Sequence, residues 1–354
     1  MTKRTRLFLT VSGGILVAGL GTGLVAAYVG GFQNLTLIGA SGPNELAYVP
    51  SDARVVAYAN VREIMDSELH QKLQSLHQSR NGDGLARFEA ETGVDVTRDV
   101  DYVVAVLGGE GTVSGEHQGP PLVMARGRFD EVRVEGLVRS KGGVVGDYKG
   151  QRLFTYKDAA PDRNVTGVAL TFLEPGLVAM GVDSAVRAAI DVRTGATASV
   201  TANEDLMRRV KEANADGNAW VVAKFDALVN GGKVPSDMLQ RLPAINWVSV
   251  TGHVNGGVRA AMRAETRDET AAQNLRDVLQ GILGLAKLQT GQRADLAAIV
   301  NSIELGGEGK NVSLAFAVPI EAIDQLANLA AARAAREPSV DAPAAPEAEP
   351  VPAP

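Results

Sequence analysis

Cysteine is absent from this chain of 354 residues. That excludes disulfides, thiolate nucleophiles, iron–sulfur clusters and thiol-anchored zinc together, along with the acylated Cys of a lipoprotein. A domain without disulfides must hold itself by packing, and a chain of this length can do so. Aromatic residues are scarce at 5%, so the core must be built from Val, Leu, Ile and Ala. Past Lys3, Arg4 and Arg6 there is no basic stripe, and the net charge is −6, which argues against a nucleic-acid partner.

What is present begins at Leu7. The run to Val29, LFLTVSGGILVAGLGTGLVAAYV, carries no charge over 23 residues. At about 1.5 Å of rise per residue it can cross a hydrocarbon layer of roughly 30 Å. Basic residues stand before the run and none directly after it. This orientation predicts a cytoplasmic N-terminus (1–6), a transmembrane signal anchor (7–29) and an exported remainder. A cleavable leader is the competing reading, because Val25 and Ala27 fit the small-residue rule for a cut after Ala27. The apolar run exceeds the usual signal core of roughly 7–15 residues, which favours retention. Gly19 and Gly23 form a small-xxx-small pair of the kind that seats a partner helix, although glycine is common in spans generally. The expected location is the bacterial inner (plasma) membrane, single-pass, with the body periplasmic or extracellular.

Residues 30–44 read as a linker rich in Gly, Ser, Asn and Pro. A strand at Ala53–Ala59 then runs into Asn60, which with Glu63 forms a capping box for a helix from Val61 to His77. A short helix carries Leu85, Phe88 and Ala90. Strands follow at Tyr102–Leu107 and Leu122–Arg128, then a helix from Asp130 through Ser140, stopped by Gly142-Gly143. Hairpins form around Lys149-Gly150 and Glu174-Pro-Gly176, and helices cover Asp183–Arg193 and Glu204–Ala213.

The pattern then starts again. Asn218-Ala-Trp-Val-Val-Ala-Lys-Phe-Asp226 aligns with Asp52-Ala-Arg-Val-Val-Ala-Tyr-Ala-Asn60, each strand ending on a helix-capping Asn or Asp. Asn246-Trp247-Val248 matches Asp101-Tyr102-Val103, Met262 matches Met124, and Asp268-Glu269 matches Asp130-Glu131. The later helix sets Ala271, Leu275, Val278, Leu279 and Ile282 on one face. A last hairpin, Ile303–Val318, leads into a helix from Ile320 to Ala335. The expected fold is therefore α+β with a mostly antiparallel sheet: a first repeat at 45–205 and a related second at 206–335. Residues 66–95 and the hairpin 144–156 have no counterpart in the second. The tail 336–354, mostly Pro, Ala and acidic residues, reads as disordered.

Chemistry is harder to find. His70 and His77 sit seven apart on the expected helix, too far for one metal, while His117 and His253 have no evident partner. Leu-Gly-Gly-Glu-Gly occurs at 107–111 and 305–309, but a phosphate cradle must open a helix, and these copies read as turns. The pairs Glu89/Glu91 and Asp99/Asp101 read as solvated. Asn34, Asn164 and Asn311 head glycosylation triplets of a kind that chance produces often. Trp220 and Trp247 fall on neighbouring expected strands, as a shared aromatic cluster or, less simply, a ligand cleft. No Gly-x-Ser-x-Gly, His-Glu-x-x-His or EF-hand pattern is present. No catalytic, cofactor-binding or metal residues are assigned, no cofactor is expected, and an enzyme is the less favoured class.

Tyr48-Val-Pro50-Ser-Asp52-Ala53 with its Val-Val-Ala strand, the Tyr148-Lys-Gly150 hairpin and the Leu173-Glu-Pro-Gly176 turn resemble a class of uncharacterised bacterial envelope proteins. The resemblance covers about residues 45–335. It implies one N-terminal span and a duplicated α+β body with no assigned activity, and it carries over no functional residues. The expected role is a non-catalytic scaffold, sensor or assembly module with a protein partner or self-association. The alternative is a lipid or apolar-ligand domain with its cleft between the two repeats.

Overall fold

Paired valines and alternating apolar residues favour extended chain wherever they recur here, because branched side chains pack well on a pleated surface. The computed structural model describes residues 42–71, 89–90, 92–108, 121–156, 167–229, 243–255, 257–289 and 300–320. The expected anchor, most of the linker, His77, His117, Asn34, Asn164, Glu91, the final helix past Ile320 and the C-terminal tail lie outside these residues. Among the described residues no helix is long and apolar enough to cross a membrane.

A 3-10 turn at Asn44–Tyr48 leads into β1 (Val55–Ala59), α1 (Val61–Asp66), α2 (Val96–Asp99), β2 (Val100–Leu107) and β3 (Pro121–Gly127). Helix α3 (Glu131–Ser140) and strands β4 (Val144–Tyr148), β5 (Gln151–Tyr156), β6 (Val168–Glu174) and β7 (Leu177–Val182) come next. Helix α4 (Asp183–Arg193), a 3-10 turn at Val200–Ala202, α5 (Glu204–Asp216), β8 (Ala219–Lys224) and α6 (Phe225–Val229) follow. The described chain ends with β9 (Ile245–Asn255), β10 (Gly257–Thr266), α7 (Glu269–Gln289), β11 (Glu304–Gly306) and β12 (Asn311–Pro319). All twelve strands form one antiparallel sheet in the order β11-β12-β10-β9-β8-β1-β2-β3-β7-β6-β5-β4. The class is α+β, as the sequence led one to expect.

Two local expectations are corrected. The helix from Val61 stops at Asp66 rather than His77. The Ser67 hydroxyl donates to the Ile64 carbonyl at 2.6 Å and accepts from the His70 N–H at 3.2 Å, ending one helix and capping the helical residues that begin at Glu68. Asn60 does cap α1, accepting from Glu63 N–H at 3.1 Å, but Asp226 lies inside α6 and pairs with Arg54 instead of capping. The α7 face is only half covered: Ala271 and Leu275 are buried, while Val278 and Ile282 are 42% and 56% exposed.

Register decides which face each residue serves. On one face Val56, Tyr58, Val104, Met124, Trp220 and Val222 pack under Leu46 and Val49, Val186 and Ile190 of α4, and Leu206 and Val210 of α5. On the other, Val103, Val123 and Ala125 meet Val61 and Met65 of α1 and Val96 of α2, while Ala264 and Val312 meet Ala272 and Leu275 of α7. The main core therefore draws from residues on both sides of the β1–β8 pairing. Burying one aliphatic side chain contributes roughly 1.5–3 kcal/mol, against about 0–1 for an exposed ion pair, so this core outweighs the surface charges.

Candidate functional site

Two polar centres stand out against this apolar background, and both are assembled from distant parts of the chain. The first forms where β2 and β3 run side by side. Tyr102 and Arg126 are register partners, so both side chains rise from the same face. The chain turns directly after Arg126 at Gly127, where a Cβ would lie 2.0 Å from the Asp99 carbonyl oxygen. The 3-10 turn after Pro43 lowers Glu45 onto this pair until it is 1% exposed. Arg126 donates from Nε and Nη2 to Glu45 Oε1 at 2.9 and 2.6 Å, from Nη2 to Glu174 Oε1, and from Nη1 to the Pro175 carbonyl at 3.3 Å. The Tyr102 hydroxyl donates to the two Glu45 oxygens at 2.9 Å each, and the Tyr48 hydroxyl donates to Glu174 Oε2 at 2.9 Å.

Charge follows geometry. Burial by itself would weaken the hold of Arg126 on its proton, but the bonds to Glu174 and Glu45 outweigh it and the guanidinium is held above its ordinary value. The Arg126 bond in turn keeps the Glu174 carboxyl below the usual carboxylate range. Burial first, then the Glu45 charge, push the Tyr102 hydroxyl up to about 12. A carboxylate so held by a permanent cation is a poor base. The cluster works as a clamp that fixes the start of the domain to the sheet.

The second centre reverses the charges. Glu265 of β10 accepts from Arg209 of α5, pairs with Lys310 at 2.7 Å, and lies 3.8 Å from Arg208. Its register partner on β9 is Trp247. The Arg209 guanidinium sits 4.5 Å from the centre of that ring, and the Lys224 ammonium 5.7 Å. Burial would raise the Glu265 carboxyl, but the bonds from Lys310 and Arg209 prevail and lower it. Beside this centre, Ala202, Asn203, Glu204, Asp205 and Arg208 line an open depression at the start of α5.

The residues singled out from sequence fall as follows. Trp220 and Trp247 share a face and both pack on the main core, but they do not stack together. Trp220 pairs in register with Tyr58 and Thr251, Trp247 with Lys224. The Trp220 ring stacks on Tyr58 at 5.6 Å, with Tyr102 another 5.6 Å beyond, and its N–H donates to Asn214 at 3.0 Å. His253 is buried, and that burial, with Arg259 nearby, lowers its pKa; burial also lowers His70. Asp101 is bonded by Arg62 while Asp99 accepts from the Asp95 N–H at 2.9 Å, and Glu89 lies 3.7 Å from Arg98. Among the described residues no three His, Cys, Asp or Glu side chains gather closely enough to hold a metal ion.

The second glycine-rich run is a turn. Gly307 has φ +99°, and a Cβ there would lie 2.4 Å from the Asn311 carbonyl oxygen. Arg276 of α7 donates to the carbonyls of Gly307, Gly309 and Asn311 at 3.3, 3.0 and 2.9 Å. Toward that cation the loop offers oxygens rather than N–H groups, the opposite of an anion cradle. The first run extends outside the described residues beyond Gly108.

Sequence reasoning missed both polar centres. Tyr102 and Trp247 were visible as matched aromatics, but nothing local ties Glu45 to Arg126 or Arg209 to Glu265. Comparison with family models, curated proteins and solved structures returns no match for this chain.

Arg126→Met strands the Glu45 carboxylate in the interior and is expected to cost about 3–5 kcal/mol, read from urea midpoints. The double variant Arg126→Met with Glu45→Gln should recover part of that loss. A lowered carboxyl stabilises the fold above its unfolded pKa of about 4.3, and the stabilisation disappears as pH falls through the folded value. Stability of the native chain should therefore drop more steeply than that of Glu265→Gln between about pH 5 and 3.

Proposed function

We propose that the chain is a membrane-tethered binding module of the bacterial envelope. Residues 7–29 stay in the inner membrane, the N-terminus stays cytoplasmic, and the α+β body faces the periplasm or the exterior. There it holds a protein partner, or another copy, as a scaffold, sensor or assembly factor without catalysing a reaction. The observation that carries this reading is the uncharged 23-residue run behind three basic residues, joined to a body of one broad sheet. The described polar clusters, bonded within themselves, agree with a body built for shape. The resemblance to envelope proteins with one span points the same way.

The body is, on this reading, two copies of one unit. Val55-Val56-Ala57 and Val221-Val222-Ala223 align in sequence, and in the sheet Val56 stands opposite Val222. A two-fold axis between equivalent antiparallel strands requires a residue to face its own equivalent, so this register supports duplication. Outward from that pair the order is β1-β2-β3-β7-β6 on one side and β8-β9-β10-β12-β11 on the other. The hairpin β4–β5, which has no counterpart, lies at the far edge. The alternative, an apolar ligand between the halves, is less favoured because Tyr58 on Trp220 and Val56 against Val222 fill that seam.

Crosslinking in native membranes followed by mass spectrometry tests the proposal. The same protein partner, or the chain itself, should be recovered repeatedly from the membrane fraction. Recovery of neither in repeated trials contradicts it, and a tightly bound lipid in the purified protein would favour the alternative.

A further inference from the structure

Helix α7 leaves the sheet along its length. Its first turns pack through Ala272 and Leu275 onto Ala264 and Val312. Further along, Val278, Ile282, Leu285 and Leu288 are 42%, 56%, 63% and 80% exposed, so the apolar stripe rises progressively out of the fold. From Val278 to Gln289 the only charge is Lys287. At Gly281 and Gly284 an added Cβ would meet nothing within 4 Å. An apolar stripe of three helical turns in water is unfavourable, and such patches mark contact with a partner or a lipid surface.

We infer that the C-terminal half of α7 lies in the headgroup layer of the membrane that holds the anchor; this rests on the tether proposed above. The tether supplies the argument for lipid. Residues 30–41 separate the apolar run from Gly42, and 12 residues reach at most about 40 Å when fully extended. Gly42 is seated close to Val210 of α5 on one face of the sheet, and α7 leans on the neighbouring β10 and β12 from the other face, so the lead brings α7 to the bilayer by passing the edge of the sheet rather than by direct adjacency. A body on so short a lead meets the bilayer at high effective concentration, whereas a second copy must arrive by diffusion. The helix falls short of a spanning segment. A partly apolar helix of this kind is instead suited to lie in the interface, its stripe at the boundary between headgroups and acyl chains.

The chain has no cysteine, so one introduced thiol labels one place. Leu285→Cys, with Leu288→Cys as a second variant, is labelled with an environment-sensitive fluorophore in the full-length protein, and Val132→Cys on α3, 82% exposed, serves as the comparison. Each is reconstituted into phosphatidylethanolamine–phosphatidylglycerol vesicles containing doxyl-labelled lipid, and the vesicles are floated. The inference expects blue-shifted emission and several-fold stronger doxyl quenching at 285 and 288 than at 132. Water-like, unquenched emission at 285 and 288 in floated protein overturns it while leaving the tether standing. A disulfide dimer of unlabelled Leu285→Cys in the vesicles, with no doxyl quenching of the labelled sample, assigns the stripe to a second copy and also overturns it. Failure of the protein to float overturns both this inference and the tether.

Discussion

The pairing of β1 with β8 is the constraint on which the rest of the architecture depends. Five register pairs, from Val55↔Ala223 to Ala59↔Ala219, join residues far apart in sequence into the centre of one sheet. All five β1 residues are buried, covered from both faces. Without this seam the sheet would end at two long apolar edges, which are templates for aggregation. With it, among the described residues, the sheet ends at a five-residue β4 on one side and a three-residue β11 on the other.

The polar centres take their places from that arrangement. An arginine between two glutamates sits beside Tyr102, and a glutamate between an arginine and a lysine sits beside Trp247. The antiparallel seam sends these two clusters to opposite ends of the central strands, since Tyr102 lies near the Ala59 end and Trp247 pairs with Lys224 near the Val55 end. Each binds a helical segment to the sheet: the first 3-10 turn through Glu45, and α5 through Arg209. A buried ion pair is weak evidence of net stability, because desolvation opposes the attraction. What these clusters define is where those segments sit.

Much of this could be read from the sequence. Alternating apolar residues, Asn60 as a cap, and Lys149-Gly150 and Pro175-Gly176 as turns are local signals, and the structure places strands and helices accordingly; Asp130 and Asp268, read as opening their helices, are in fact the capping residues. The break at Ser67 was hidden because a serine inside an apolar helical pattern reads as solvated, whereas here its hydroxyl bonds backbone on both sides. The burial of Glu45 was hidden for a different reason. Its partners lie 57 and 81 residues away, and no periodicity encodes a contact at that range. Along α7 the apolar period was correct, but periodicity cannot say where the supporting strands end.

The account stands on the seam, and hydrogen exchange read amide by amide under increasing urea tests it most directly. The amides of β1 and β8 should exchange only through global unfolding, at the same free energy as those of β2 and β9. If residues 204–320 instead open as a unit while residues 42–193 stay protected, the halves are separate bodies and the central claim is wrong.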